Sequence, residues 1–144
     1  MSLAAVLEDP DKADAVVADG VRILDEEVAA KRGIAGVALR AGYKAVKAIK
    51  PGVIAEILVR LLPQFAEATD PFYAKAKETG DVHGYFAEHD GEIADALLEI
   101  TDARVRRSTN RVIKRGYRSL RPQARKHTRE SVPRVAELIE KHVG

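Results

Sequence analysis

Apolar residues in this chain recur at three- and four-residue spacing from Asp9 onward, and no run alternates them with polar residues between turns. A chain so patterned can bury its hydrophobic surface only as helices. The one Asp-Gly dipeptide, Asp90-Gly91, precedes a helical run instead of joining two strands. The expected class is therefore all-α, a compact bundle of about six helices forming a single domain over residues 1–144.

Asp9 and Pro10 read as an N-cap and first helical position, since proline lacks the N–H that a helix start leaves unused. The helix they open runs to about Ala30, with Val16, Val17, Gly20, Val21, Leu24 and Val28 inward and Asp11, Asp14, Asp19, Asp25 and Glu26 outward. From Ile34 to Ile49 the apolar face is wide and built of small residues, among them Ala38, Ala41, Gly42 and Ala45, which lets neighbours approach closely. Pro51-Gly52 stops that helix. Val53 to Leu62 then carries only Glu56 and Arg60 as charges, an i,i+4 pair on one exposed edge, and reads as the central, most buried helix.

Pro63 and Asp70-Pro71 each predict a kink or a new start. Asp81 to Asp90 reads as a polar piece with at most one helical turn. A helix begins near Gly91. The apolar set Ile93, Leu97 and Ile100 is rotated by roughly a third of a turn from the set Val105, Val112, Ile113, Tyr117 and Leu120, at about 100° per residue. This rotation predicts a break between about Thr101 and Ser108, with Asp102 or Ser108 as N-cap. Pro122 and Pro133 punctuate the rest, leaving a polar segment and a last helix with Val135, Leu138, Ile139 and Val143 inward. Met1-Ser2-Leu3 is compatible with an added leader and enters no argument.

The chain has no cysteine, which excludes disulfides, thiolate metal sites and a cysteine nucleophile, and makes a reducing cytoplasm the expected home. No uncharged run is longer than that of Gly33 to Leu39, too short to span a bilayer, and no basic segment followed by an apolar core opens the chain.

Charge is segregated along the sequence. Residues 8–27 hold eight acids and two bases, while residues 31–50 hold six bases and no acid. Residues 104–129 hold eleven cations, nine of them arginine, and no acid, so a near-neutral total of +2 conceals a strong internal dipole. On a helical wheel Arg104, Arg107, Arg111, Lys114, Arg115, Arg118 and Arg121 fall within an arc of about 120°. They are the candidate site for a polyanion or an acidic partner, because arginine pairs in planar, bidentate fashion with carboxylate and phosphate. Against this stands internal pairing with the molecule's own acidic helices, or plain solvation. A protein partner or a second copy is the favoured occupant and nucleic acid the alternative. Tyr117 is the only aromatic in the stripe, which argues against single strands. Its apolar side of Val, Ile, Gly and one Tyr suits a core rather than a membrane surface.

Signs of chemistry are few. His83 and His89 lie close together among Asp81, Glu88 and Asp90, but neither Glu-x-x-His nor His-Glu-x-x-His occurs, so no metal and no cofactor is expected. The acids lie on solvated stripes, where nothing tunes them as catalytic groups. No Gly-x-Ser-x-Gly elbow or phosphate-binding Gly-x-x-x-x-Gly-Lys-Ser/Thr loop is present, and no catalytic residue is assigned. Tyr43, among Arg40, Lys44 and Lys47, reads as an amphipathic packing residue with its hydroxyl in water.

The run GIAGVALRAGYKAVKAIKPG (33–52), with VVADGVRILDEEVAAK (16–31) before it and ITDARVRRS (100–108) after it, resembles an uncharacterised family of small helical actinobacterial proteins. The resemblance covers most of the chain and implies a bacterial, cytoplasmic, helical protein. It carries over no catalytic or binding residue. The expected function is a non-catalytic interaction or structural protein that works through its charged helical faces, with polyanion binding through 104–129 as the alternative.

Overall fold

A computed structural model describes residues 2–144, so Met1 lies outside the described residues. Its elements are α1 (Leu3–Val6), α2 (Pro10–Ala30), α3 (Gly33–Lys47), α4 (Val53–Thr79), α5 (Val82–Glu88), α6 (Asp90–Arg107) and α7 (Arg111–Val143). No strand occurs among the described residues. The class is all-α, with seven helices where about six were expected.

Asp9 caps α2 as the spacing predicts, its carboxylate accepting from Asp11 N at 3.0 Å. A break before α7 does occur, but at Ser108-Thr109-Asn110, the far edge of the expected stretch, with α6 helical through Arg107. The cap of α7 is Asn110, whose side chain accepts from the amides of Val112 and Ile113, and not Asp102 or Ser108. Ser108 ends α6 instead.

None of the four inner prolines ends a helix. Pro63 and Pro71 lie inside a single 27-residue α4, and Pro122 and Pro133 inside a single 33-residue α7 about 50 Å long. Each lacks an N–H and leaves a carbonyl one turn earlier without its helical partner. All four are exposed, so water can take the freed carbonyl and the helix continues without losing its inner face. The central helix is thus far longer than Val53–Leu62. The Glu56–Arg60 pair does not form either: Glu56 meets Lys50 at 2.8 Å. The polar piece after Gly80 is a seven-residue helix that buries Phe86 completely.

Ser2 and Leu3 are integral to the fold. Ser2 caps α1 and Leu3 is 3% exposed, while Asp70, just before the second proline of α4, accepts from the amides of Leu3 and Ala4 at 2.9 and 3.2 Å. A carboxylate thereby meets the positive end of α1.

The core gathers Leu3 and Val6, Val16 of α2, Leu58, Leu62, Ala66, Tyr73 and Ala76 of α4, Phe86, Ile93, and Val132, Ala136 and Ile139 of α7. Burial of a large apolar side chain contributes roughly 1.5–3 kcal/mol. The second half of α7 is also tied to acidic α2. Asp19 accepts from Lys141 at 2.8 Å and His142 at 2.6 Å, Arg134 meets Glu26 at 2.7 Å, and Lys31 meets Glu130 at 2.9 Å. Lys141 and then His142 hold the Asp19 carboxyl below the usual carboxylate range.

Core packing stops short of one region. No residue between Leu98 and Val132 is buried, and in α3 only Gly36 is. Gly36 is needed there, because a Cβ would come within 2.7 Å of the Lys31 backbone. Gly42 likewise lies against Leu120, where a Cβ would sit 2.8 Å from its side chain. α3 thus meets α7 closely at Gly42, where a Cβ would displace the end of the Leu120 side chain.

Candidate nucleic-acid or partner interface at the basic corner

The antiparallel pair α6 and the first half of α7 carries the arginine-rich segment, and the structure divides that segment in two. Along its inner half, α7 presents Arg121, Arg125 and Arg129 at four-residue spacing to Asp102, Asp95 and Asp90 of α6. The Nε–Oδ1 distances are 2.8 Å for Arg121–Asp102 and 2.8 Å for Arg125–Asp95, and Arg129 approaches Asp90 at 3.0 Å. These three bridges join the helices like rungs.

Arg121 therefore leaves the candidate site. It makes a two-point contact with Asp102, 2.8 Å through Nε and 3.1 Å through Nη2. The same carboxylate accepts from the Tyr117 hydroxyl at 2.5 Å, and that hydroxyl also lies 2.7 Å from Thr101 Oγ1. Arg121 first, and Tyr117 with it, keep the Asp102 carboxyl below its usual range. Burial and the adjacent carboxylate push the Tyr117 phenol up to about 12. Internal pairing, the competing expectation for the whole segment, thus holds for the three arginines of its inner half.

It does not hold for the outer half. Arg104 and Arg107 on the last turn of α6, and Arg111, Arg115 and Arg118 on the first turns of α7, are exposed, and Lys114 is half-buried. Among the described residues none of the six forms an ion pair or a side-chain hydrogen bond, and neither does the exposed Arg106. A chain reversal at Ser108-Thr109-Asn110 separates them into two helix ends, so they form a corner, not one straight stripe. On α7, Arg111, Lys114, Arg115 and Arg118 keep the i, i+3, i+4, i+7 spacing of a single face.

The two helix ends differ electrically. Cations in the last turn of α6 offset the negative end of its dipole, which is a structural benefit. The first turn of α7 holds no acid, and Arg111 occupies its opening position. Cations there add to the positive helix end and lower the stability of α7. Val112, on the same turn, is 47% exposed, an apolar surface that charge and spacing did not single out. Tyr117 offers no stacking face, since its ring lies inside the hairpin and its hydroxyl is engaged.

The remaining candidates are placed as follows. His83 approaches Glu140 at 3.1 Å and His89 approaches Glu92 at 3.3 Å, so the two face different carboxylates. Tyr43 does not point its hydroxyl to water: it donates to Asp25 at 2.7 Å, and burial together with that carboxylate raises its pKa. A shallow cleft of about 430 Å³ beside the ladder is lined by Asp90 and Arg129, which pair with each other, by Arg125, which pairs with Asp95, and by Pro122, Lys126 and Glu130. No helix among the described residues is long and apolar enough to cross a membrane.

No curated protein and no solved structure matches the chain. A family described as a family of unknown function, DUF6918, matches residues 3–143, which takes in every helix described above except the last residue's cap. The uncharacterised helical family that the residues resemble is thereby given its place: the chain belongs to DUF6918.

Proposed function

We propose that this chain is a non-catalytic interaction protein whose working surface is the α6–α7 corner, where Arg104, Arg107, Arg111, Lys114, Arg115 and Arg118 hold an acidic surface of a protein partner. One observation carries this: the α7 cations stay unpaired at a helix N-terminus, where they lower the stability of their own helix. Such an arrangement calls for counter-charge from outside the molecule. Exposed Val112 among them supplies the apolar contact that a protein interface places between charges. A cysteine-free chain suits a reducing cytoplasm, where such a partner would be met.

A second reading, attachment to a nucleic-acid backbone, is favoured by the dominance of arginine, five of the six cations. The engaged Tyr117 supports duplex over single strand. Both are tested by titrating labelled polyglutamate and labelled duplex DNA with the full chain at low and physiological salt. A variant carrying Arg107→Glu, Arg111→Glu and Arg118→Glu serves as control. Polyglutamate binding that disappears in the variant supports the proposal. Duplex binding with a steep salt slope and no polyglutamate binding moves the corner to nucleic acid. Absence of both at low salt overturns it.

A further inference from the structure

The outer layer made by α2 and α3 is a surface separate from the basic corner, and it is incomplete. Of the fifteen residues of α3 only Gly36 is buried, while Ile34 is 91% and Val37 59% exposed. With them, Ala38, Ala41, Ala45 and Ala48 are exposed on one face, interrupted only by Lys44. Beside it, α2 exposes Ala15, Ala18 and Ala29 on the side away from the core. Between the helices runs an open groove of about 480 Å³, with Val28, Ala29 and Tyr43 in its lining and Asp25, Arg40, Lys44 and Lys47 around them.

Two observations identify what covers this layer. The first is area. The chain exposes 8492 Å² at 15.7 kDa. A compact monomer of that mass exposes about 7,300 Å², and a standard interface covers about 800 Å² per partner. The excess of about 1,200 Å² exceeds what one such contact removes, so an interface of standard size or somewhat larger fits within it. The second is charge. The face of α3 lies on a segment with six bases and no acid, and that of α2 on a segment with eight acids and two bases. Asp11 and Asp14, exposed near the start of α2, have no ion pair among the described residues, and Lys44 has none on α3. Two copies meeting face to face about a two-fold axis along the helices set acidic α2 of each over basic α3 of the other. Alanines on both faces let the backbones approach closely.

We infer that a second copy of this chain docks on the α2–α3 layer, forming an intermolecular four-helix contact in which α2 of one protomer lies over α3 of its partner. An α3-on-α3 contact is disfavoured, because it would bring two purely cationic segments together.

Sedimentation equilibrium and light scattering on the full chain, up to about 100 µM, test this. The expected result is a dimer that weakens as salt rises. Ala41→Glu, an exposed position where bulk and negative charge meet the partner's acidic helix, is expected to weaken it by at least about tenfold, with the helical circular-dichroism signal unchanged. Val37→Glu repeats the test from a second exposed position, should the first variant fail to fold. Asp14→Lys is expected to weaken the dimer as well. A wild-type monomer across the whole range overturns the inference, as does a dimer indifferent to the α3 variants. A dimer lost on Ala41→Glu but indifferent to Asp14→Lys overturns the α2-over-α3 pairing.

Discussion

Reversing the charges at the start of α7 is expected to make the protein more stable while removing its proposed binding surface. Arg111 occupies the first helical position and Lys114 follows within the first turn, over amides that Asn110 caps only at Val112 and Ile113. A favourable charge at a helix end contributes about 0.3–1 kcal/mol at low ionic strength. Each reversal removes one unfavourable contribution and adds one favourable one, so at the low end of that range, which suits exposed side chains, two reversals should raise stability by about 1–2 kcal/mol. Unfolding entropy of roughly 2.1 cal/mol/K per residue, over a chain of this length, converts each 1 kcal/mol into about 3 °C. Arg111→Glu with Lys114→Glu is therefore expected to raise Tm by about 3–6 °C in low-salt buffer, with a smaller gain at high salt. The assay is thermal unfolding at two salt concentrations beside the polyglutamate titration. A fall in Tm at low salt would refute the reasoning, since it would mean that these cations stabilise the fold through contacts absent from the structure.

Three further outcomes follow from the packing. Asp102→Ala leaves the Tyr117 hydroxyl and the Arg121 guanidinium without their shared acceptor; at a quarter-exposed site it should cost about 1–2 kcal/mol in urea unfolding, and in tyrosine absorbance the Tyr117 phenol should titrate earlier than about 12, though burial still holds it above the usual tyrosine range. His127 has both ring nitrogens buried without a hydrogen-bond partner, and burial, then Lys31, lower its pKa from 6.5. The unfolded state binds this proton more readily, so stability is full above the unfolded value and declines as pH falls below about 6.5. His127→Leu should flatten that decline, leaving the losses from Asp19, Asp25, Asp102 and Glu130, whose lowered pKa values place them below about pH 4.5. Phe86→Ala should cost about 3–5 kcal/mol, because the ring is wholly buried and a seven-residue helix has little else to hold it.

What local sequence controls was legible. The Asp9-Pro10 start, the stop at Pro51-Gly52 and the break before Arg111 were readable because each is written in adjacent residues or in a rotation of the apolar face. The prolines at 122 and 133 misled for the opposite reason, and those at 63 and 71 left a kink and a new start equally open. Whether a proline ends a helix or lies within one depends on which side faces water, and that is set by packing between distant segments, here α4 with its Leu58, Leu62 and Ala66 against α1 and α2. The cations of the corner were visible as a charge block, but the fate of Arg121 was not. Its partner lies nineteen residues away on another helix, and pairing it required knowing that α6 and α7 form a hairpin in the register that also sets Arg125 on Asp95 and Arg129 on Asp90. Val112 was missed because its exposure results from the end of core packing after Leu98, which no residue near it announces.

The ladder and the corner are best understood together. Had all the cations of 104–129 been free, α7 would carry positive charge over half its length, close to basic α3, and the repulsion would oppose folding. Asp90, Asp95 and Asp102 remove that charge from the inner rungs and use it to join two helices that share no buried side chain below Leu98. Such exposed bridges are individually weak, so position along this hairpin is held by geometry repeated three times rather than by one strong contact. The acids stop at Asp102 while the cations continue through Arg104, Arg107, Arg111, Lys114, Arg115 and Arg118. Neutralisation of the inner rungs therefore concentrates the uncompensated charge at the end of the hairpin, farthest from the acids that would cancel it. A basic surface needed only for solubility would gain nothing from that focusing, whereas one that meets an acidic partner gains both attraction and a defined direction of approach.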